Sequence, residues 1–423
     1  MYKPINKIIN PIKILSMKKI YFLFLLAFVM SAQGIYAQTW TALSSGTTQG
    51  LYAIFPTTDN IAISVGDNQT LVKTINQGTS WSQQLVGTDI DMRCLYFTSQ
   101  NVGFTGGSDG TPNTHYIYKT SDGGLSWSLV KTGTPASIYG ISYVDANTGY
   151  AVRSDPASSV VFKTLDGGVS WTTLSSSTTS TWMRTIYAVN NNKIFCTGTG
   201  GTIQKTTDGG VTWSTSTVGT NDLFGIAFPS TTVGYICGFG GKLLKTTDGG
   251  ATWSTLTIGS TANFYSLDFL DINRGFVVGG NGAIFYTADG GLSWTNQSGC
   301  TTNTLINVRF LNQNLGYACG ANGAIVKYTN TIGVEEIENN FNLTVFPNPT
   351  NGLLTVNFYS GKNENVNLAI FDILGKELFS EKDIYNSGSF TKQLDISQYK
   401  SGVYFVKLQN KNSRIVKKIV IEK

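Results

Sequence analysis

The sequence predicts an all-β protein: a ring of repeated four-stranded sheets, followed by a smaller β-unit. Three observations predict it. A nine-residue motif recurs six times, tryptophans pace the chain from Trp40 to Trp294 at intervals of 40–46 residues, and the two ends of the repeat array are complementary. A period near 40 residues suits one four-stranded sheet repeated around an axis. The array over 39–330 therefore reads as a seven-bladed β-propeller.

The motif is clearest at Lys205–Trp213, KTTDGGVTW, with further copies at Lys119–Trp127, Lys163–Trp171, Lys245–Trp253 and Tyr286–Trp294, and a decayed one, KTINQGTSW, at Lys73–Trp81. The apolar residues before Lys-Thr form a strand. Asp-Gly-Gly makes a tight turn, because Gly tolerates positive φ and Asp can accept bonds from nearby backbone N–H groups. Ser/Thr-Trp opens the returning strand. Asp122, Asp166, Asp208, Asp248 and Asp289 are thus structural turn residues. Within one repeat, NDLFGIAF, VGYICGF, KLLKT and ATWSTLTI supply four strands separated by Gly, Asn, Asp and Ser turns.

The last repeat stops before its Gly-Gly-x-x-Trp strand, and an orphan strand, TWTALSSG, surrounds Trp40. Pairing that N-terminal strand into the last blade closes the ring and removes exposed sheet edges. An open β-solenoid, the rival architecture, would not need complementary ends.

Both flanks differ from the array. Residues 1–38 carry Met17-Lys18-Lys19, the apolar run Ile20–Met30 and Ile35-Tyr36-Ala37 before Gln38, the pattern of a signal peptide, with Met17 as an alternative start. A membrane anchor is the competing reading. Residues 331–340 form a polar, acidic linker. Residues 341–423 read as short alternating strands of a small β-sandwich. Their motifs are Pro347-Asn348-Pro349 with Gly352, Gly375 before Lys376, Gly402 before Val403-Tyr404, and a terminal strand with Lys417-Lys418. This constellation resembles the type A C-terminal sorting domain of the type IX secretion system. The resemblance implies the secretion machinery as a partner, and a secreted or outer-surface location on a Gram-negative bacterium. The nine-residue motif resembles the Asp-box of sialidase-like propellers, and the array is similar to the photosystem II assembly-factor family. Such repeats imply fold far more than function, and a photosynthetic role does not fit a type IX signal.

Composition narrows the chemistry. The chain has 30 basic and 25 acidic residues, and five lysines with no acid lie within residues 1–38, leaving a neutral remainder. That excludes the basic patch that nucleic acid or an anionic membrane selects for. Among the cysteines, Cys196, Cys237 and Cys319 occupy one place in three repeats and read as small buried residues; Cys300 with Cys319 is the pairing to check. His115 is the single histidine, so a multi-histidine metal site is impossible and a nucleophile–histidine arrangement could form only there. Residues 39–334 contain no Glu, whereas sialidases need a Tyr–Glu pair. No catalytic residue, metal or cofactor is expected. Ten aspartates outside the motifs, two of which could face each other across a cleft, leave a glycan-active hydrolase as the alternative.

The candidate site comes from aligning the innermost strands LYAIFP, MRCLYF, IYGISY, MRTIYA, LFGIAF, FYSLDF and LINVRF. Their second positions are Tyr52, Arg93, Tyr139, Arg184, Phe224, Tyr265 and Ile306, a ring expected around the channel mouth opposite the Asp-boxes. Aromatics and Arg are enriched at binding hot spots. Two arginines flanking Tyr139 suggest a platform for a carboxylate or acidic sugar; packing between blades, with each Arg paired to a nearby acid, is the structural alternative. The expectation is a monomeric, non-catalytic module that binds extracellular protein or polysaccharide.

Overall fold

The computed structural model describes residues 37–110, 114–331, 342–373, 375–409 and 414–423. The signal peptide, apart from its last two residues, and the linker, apart from Thr331, lie outside the described residues. The chain divides into two compact units, Gln38–Asn330 and a second that holds Thr331–Lys423.

The first unit contains seven four-stranded antiparallel sheets. Their inner strands are Leu51–Pro56, Ile90–Phe97, Ser137–Tyr143, Met183–Ala188, Leu223–Ala227, Phe264–Phe269 and Leu305–Asn312, and they give sheets one to seven. Each inner strand packs on the next, and the seventh packs on the first, which closes the ring. This is a β-propeller. The strand Ala37–Leu43 pairs with Ile325–Thr331 as the outermost strand of sheet seven, as the complementary ends require. Trp40 anchors it, in T-shaped contact with Phe276 and Phe310 at 5.8 and 6.0 Å.

Between sheets the core is aromatic. A glycine begins the second strand of several repeats because the last aromatic of the first strand lies across it. A Cβ on Gly149 would sit 2.5 Å from the Tyr143 ring, closer than two carbons can approach. The aromatic ring and the missing side chain are therefore one packing unit.

The Asp-Gly-Gly turns are closed by their own side chains. Thr206 Oγ1 donates to Asp208 Oδ1 at 2.7 Å, Gly210 N donates to Thr206 Oγ1 at 3.0 Å, and Thr212 N and Oγ1 donate to the Asp208 carboxylate at 2.9 and 2.5 Å. Gly209 and Gly210 have φ of 72° and 96°, in the left-handed region. The lysine that opens each motif then reaches the following sheet. Lys119 Nζ donates to Gly167 O, Lys163 to Gly209 O and Lys245 to Gly290 O at 2.7–2.9 Å. Where the next sheet is the closing one, which has no such turn, Tyr286 replaces the lysine and packs on Phe276 at 4.8 Å. All five cysteines are free, so Cys300 and Cys319 form no bridge.

The second unit is one five-stranded sheet folded over a single core, with Leu354, Val356, Leu368, Ile370, Val406 and Ile419 buried. Asn348 explains its place between two prolines: its side-chain amide donates to Lys418 O at 2.9 Å and accepts from Val420 N at 2.8 Å. It thereby pairs with the last strand as a backbone residue would. A Cβ on Gly352 would meet Ser397 at 2.8 Å. Tyr404 Oη donates to Lys400 O at 2.8 Å. Gly375 takes φ of 81° in an exposed turn, Gly402 starts a strand, and Lys417 and Lys418 lie on the last strand.

Candidate functional site: the central channel

A central cavity of ≈ 610 Å³ is lined by all seven second-position residues, from Tyr52 to Ile306. The backbone explains why they gather there. Every inner strand carries a bulge at its second position, so these residues have no register partner on the neighbouring strand. A bulge inserts one residue and shifts side-chain parity. The second and fifth positions, which alternate faces on a regular strand, therefore both turn to the channel.

Five of the seven fifth positions form a second, deeper set that escaped the sequence reading. Phe55, Tyr96, Ser142, Tyr187 and Arg309 line the cavity, whereas Asp268, the fifth residue of its strand, lines a neighbouring one. The seven strands aligned above already contained the signal; a strict two-residue alternation concealed it.

At the mouth, the two arginines differ. Arg93 donates from Nη2 to Asp91 at 2.9 Å, lies 3.7 Å from Asp67 through Nη1, and covers the Tyr52 ring at 4.1 Å. Tyr52 Oη donates to Asp67 at 3.2 Å. Burial raises the pKa of Asp67 and of Tyr52 above their ordinary values. Arg93 is therefore neutralised, as the ion-pair alternative holds, and it lies on Tyr52. The symmetric platform of two arginines around Tyr139 does not form.

Among the described residues Arg184 has no carboxylate within ion-pair distance. Its guanidinium lies 3.5 Å from the Trp182 ring and 5.3 Å from Phe224, and its Nε is buried without a hydrogen-bond partner. Burial lowers its pKa, offset in part by Tyr139 and Asp222. Tyr139 meets Trp182 edge-on at 5.8 Å, Phe224 packs on Phe239 at 4.5 Å, and Tyr265 meets Phe224 at 5.2 Å. Trp182 was not singled out in the sequence. Its signal was its position: it is the one tryptophan out of step with the 40-residue period.

On the floor, Arg309 lies 3.8 Å from Asp268 and faces Phe55 and Tyr96 at 5.3 and 6.0 Å. Asp268 accepts from Phe269 N and Phe310 N at 3.1 and 2.8 Å. Burial raises the Asp268 pKa against the pull of Arg309. For Arg309, burial works against the charge but Asp268, Tyr187 and Tyr96 outweigh it and raise the pKa.

Elsewhere, His115 is 3 % exposed. Its one side-chain hydrogen bond among the described residues joins Nδ1 to Pro135 O at 3.4 Å, and burial lowers its pKa to about 4. Two longer loops join Gly103–Asp109 to His115–Thr120 and Gly149–Ser154 to Ser159–Thr164; residues 111–113 lie outside the described part. Among the described residues no helix is long and apolar enough to cross a membrane.

The fold defines a repeat propeller with a central cavity. The family profile for the Photosynthesis system II assembly factor YCF48 matches residues 119–221 and 257–329, and that for the secretion system C-terminal sorting domain matches 344–422. The chain thus joins a YCF48-like propeller to a type IX sorting domain, whose presence implies export to the cell surface or beyond. No curated protein matches. Solved structures share the fold: YCF48 bound to D1 peptide is 20 % identical, with a TM-score of 0.58 over 69 % of this chain and 96 % of that one. YCF48 from Cyanidioschyzon merolae is 17 % identical, with a TM-score of 0.58 over 69 % and 99 %. The WD40 propeller of Doa1 is 13 % identical, with the same score over 70 % and 98 %.

Proposed function

We propose that the propeller is a non-catalytic binding module, exported to the surface or surroundings of a Gram-negative bacterium, that takes a carboxylate-bearing segment of an extracellular protein at its channel mouth. Arg184 carries this reading. A half-buried guanidinium with no carboxylate partner is costly to maintain. Its neighbouring rings, Trp182 at 3.5 Å and Phe224 at 5.3 Å, accept no conventional hydrogen bond, which leaves N–H donors able to bind a carboxylate in parallel pairs for a ligand. A protein segment is favoured over a polysaccharide because sugars need open aromatic faces, and here Arg93 covers Tyr52, Arg184 covers Trp182 and Phe239 covers Phe224. The similar fold solved with a bound peptide lends support. A hydrolase reading gains nothing from the channel carboxylates, since Asp67, Asp91 and Asp268 are each engaged by an arginine.

The test is calorimetric titration of the full chain with Ac-Glu-Gly-Gln-NH2, with the same peptide carrying Gln in place of Glu, and with trigalacturonate. The Glu peptide binds at least tenfold more tightly than its Gln counterpart, and more weakly as salt rises. Arg184→Gln abolishes that preference with little change in melting temperature. Tighter binding of trigalacturonate would move the ligand to acidic polysaccharide, and an unchanged preference in Arg184→Gln would remove Arg184 from the site.

A further inference from the structure

The floor of the cavity carries a second observation. Of the five arginines in the propeller, Arg93, Arg153 and Arg274 donate hydrogen bonds. The side chains of Arg184 and Arg309 make none among the described residues, and both line the central cavity. Arg309 has five N–H donors to satisfy. Asp268 does not use them: at 3.8 Å it is beyond hydrogen-bond length, and backbone N–H groups already engage each of its oxygens. It does cancel the charge. The mouth therefore holds a free cation and the floor a neutral pair with unspent donors. An anion on the floor would meet the Asp268 carboxylate, whereas an uncharged oxygen acceptor would not.

The surroundings fix the guanidinium. The rings of Phe55 and Tyr96 wall it in. The phenols of Tyr96 and Tyr187 are held by backbone carbonyls of the next sheet, at Tyr143 O (3.0 Å) and Phe228 O (3.3 Å). Phe55, Tyr187 and Arg309 also line a second cavity of ≈ 450 Å³, so they border both spaces. Arg309 comes from sheet seven, but its charge acts on Tyr187 of sheet four, and Tyr187 is three residues beyond Arg184, a depth of about 8–10 Å along an extended chain.

Building on the proposed carboxylate site at Arg184, we infer that the cavity is a two-point site: Arg184 holds an acidic side chain of an extended peptide, and Arg309 donates to the amide oxygen of an Asn or Gln side chain two residues away. Residues two apart on an extended segment point the same way and are about 7 Å apart; side-chain length covers the remainder. The floor is thus the specificity-determining part, since donors left unpaired penalise a ligand that lacks the acceptor.

The full chain is titrated with Ac-Glu-Gly-Gln-NH2 and with Ac-Glu-Gly-Leu-NH2. The Gln peptide binds about tenfold more tightly. Arg309→Lys, which keeps the charge beside Asp268 but removes the planar fork, lowers this preference to within twofold while leaving the preference for Glu over Gln at the first position. Arg184→Gln does the reverse. If acidic peptides bind through Arg184 but Gln and Leu are equivalent, or if Arg309→Lys retains the discrimination, the floor assignment is overturned and the mouth assignment stands. Should no peptide bind, both fail. A large fall in the melting temperature of Arg309→Lys would make Arg309 structural, and the wild-type comparison of Gln with Leu would then decide the proposal.

Discussion

The Asp-Gly-Gly turns and the channel mouth come from the same repeats, but they have diverged differently. Five turns keep Asp, Gly and Gly because each closes on itself: the Asp208 carboxylate bonds residues no more than four positions away. The second positions of the inner strands occupy equivalent backbone sites yet hold Tyr, Arg, Phe and Ile. Arg93 and Arg184 are in one slot of sheets two and four, and their chemistry is opposite, one carrying two carboxylates and the other, among the described residues, none within ion-pair distance. A site satisfied wholly by its own neighbours in sequence holds its residue type, whereas a site facing shared space also depends on side chains contributed by other sheets, as Arg93 does on Asp67 and Arg184 on Phe224.

The largest effect that would break this comparison comes from the ring itself. If local turns sufficed, the closing strand would matter little. Removal of residues 39–46 exposes the edge of sheet seven and deletes Trp40, whose loss alone costs roughly 3–5 kcal/mol by the scale of buried Trp truncation. The expected outcome is a much lower melting temperature with aggregation, followed by calorimetry and light scattering; an unchanged melt and a monomeric protein would mean the ring does not depend on closure.

Protonation separates the two kinds of site next. His115 is buried by neighbouring strands, and its folded pKa of about 4 lies below the ordinary 6.5. A depressed pKa favours the neutral form in the folded state, so this stability is full above pH 6.5 and is lost as pH falls toward 4. The span corresponds to roughly 3 kcal/mol. The turn carboxylates titrate lower: hydrogen bonds from Ser293 hold Asp289 at about 2, so their contribution persists above pH 4 and fades below it. Denaturant melts across pH show both windows, and His115→Gln removes only the upper one. An unaltered upper window in that variant would assign it to another group.

The smallest effect sharpens the link between turns. Lys245 Nζ bonds Gly290 O in the next sheet, and Lys245→Met loses about 1 kcal/mol, the net worth of such a bond. Tyr286→Lys gains nothing, because the closing sheet offers no turn to receive it. A stabilised Tyr286→Lys in thermal melts would show that the tyrosine is drift and not a response to the missing acceptor.

Much of the fold was legible because its signals are short-range and repeated. Lys-Thr-x-Asp-Gly-Gly, the tryptophan spacing and the unpaired strand at Trp40 sufficed for the propeller and its closure, and Pro347-Asn348-Pro349 with Gly402 and Tyr404 for the tail. The second-position ring was legible too, since aligned repeats place equivalent residues in equivalent places around an axis. What the sequence could not supply was which way side chains face after a bulge, and what each meets across the channel. The bulge brought Phe55, Tyr96, Tyr187 and Arg309 into the cavity against simple alternation. Asp91 and Trp182 stand two residues from Arg93 and Arg184 in sequence, but only the tertiary structure adds Asp67 to the first and Phe224 to the second. The physical reason is range: turn geometry and strand patterning are fixed by residues a few positions apart, whereas a side chain's charge partner in a ring of sheets is set by the spatial meeting of strands some 40 residues distant in sequence.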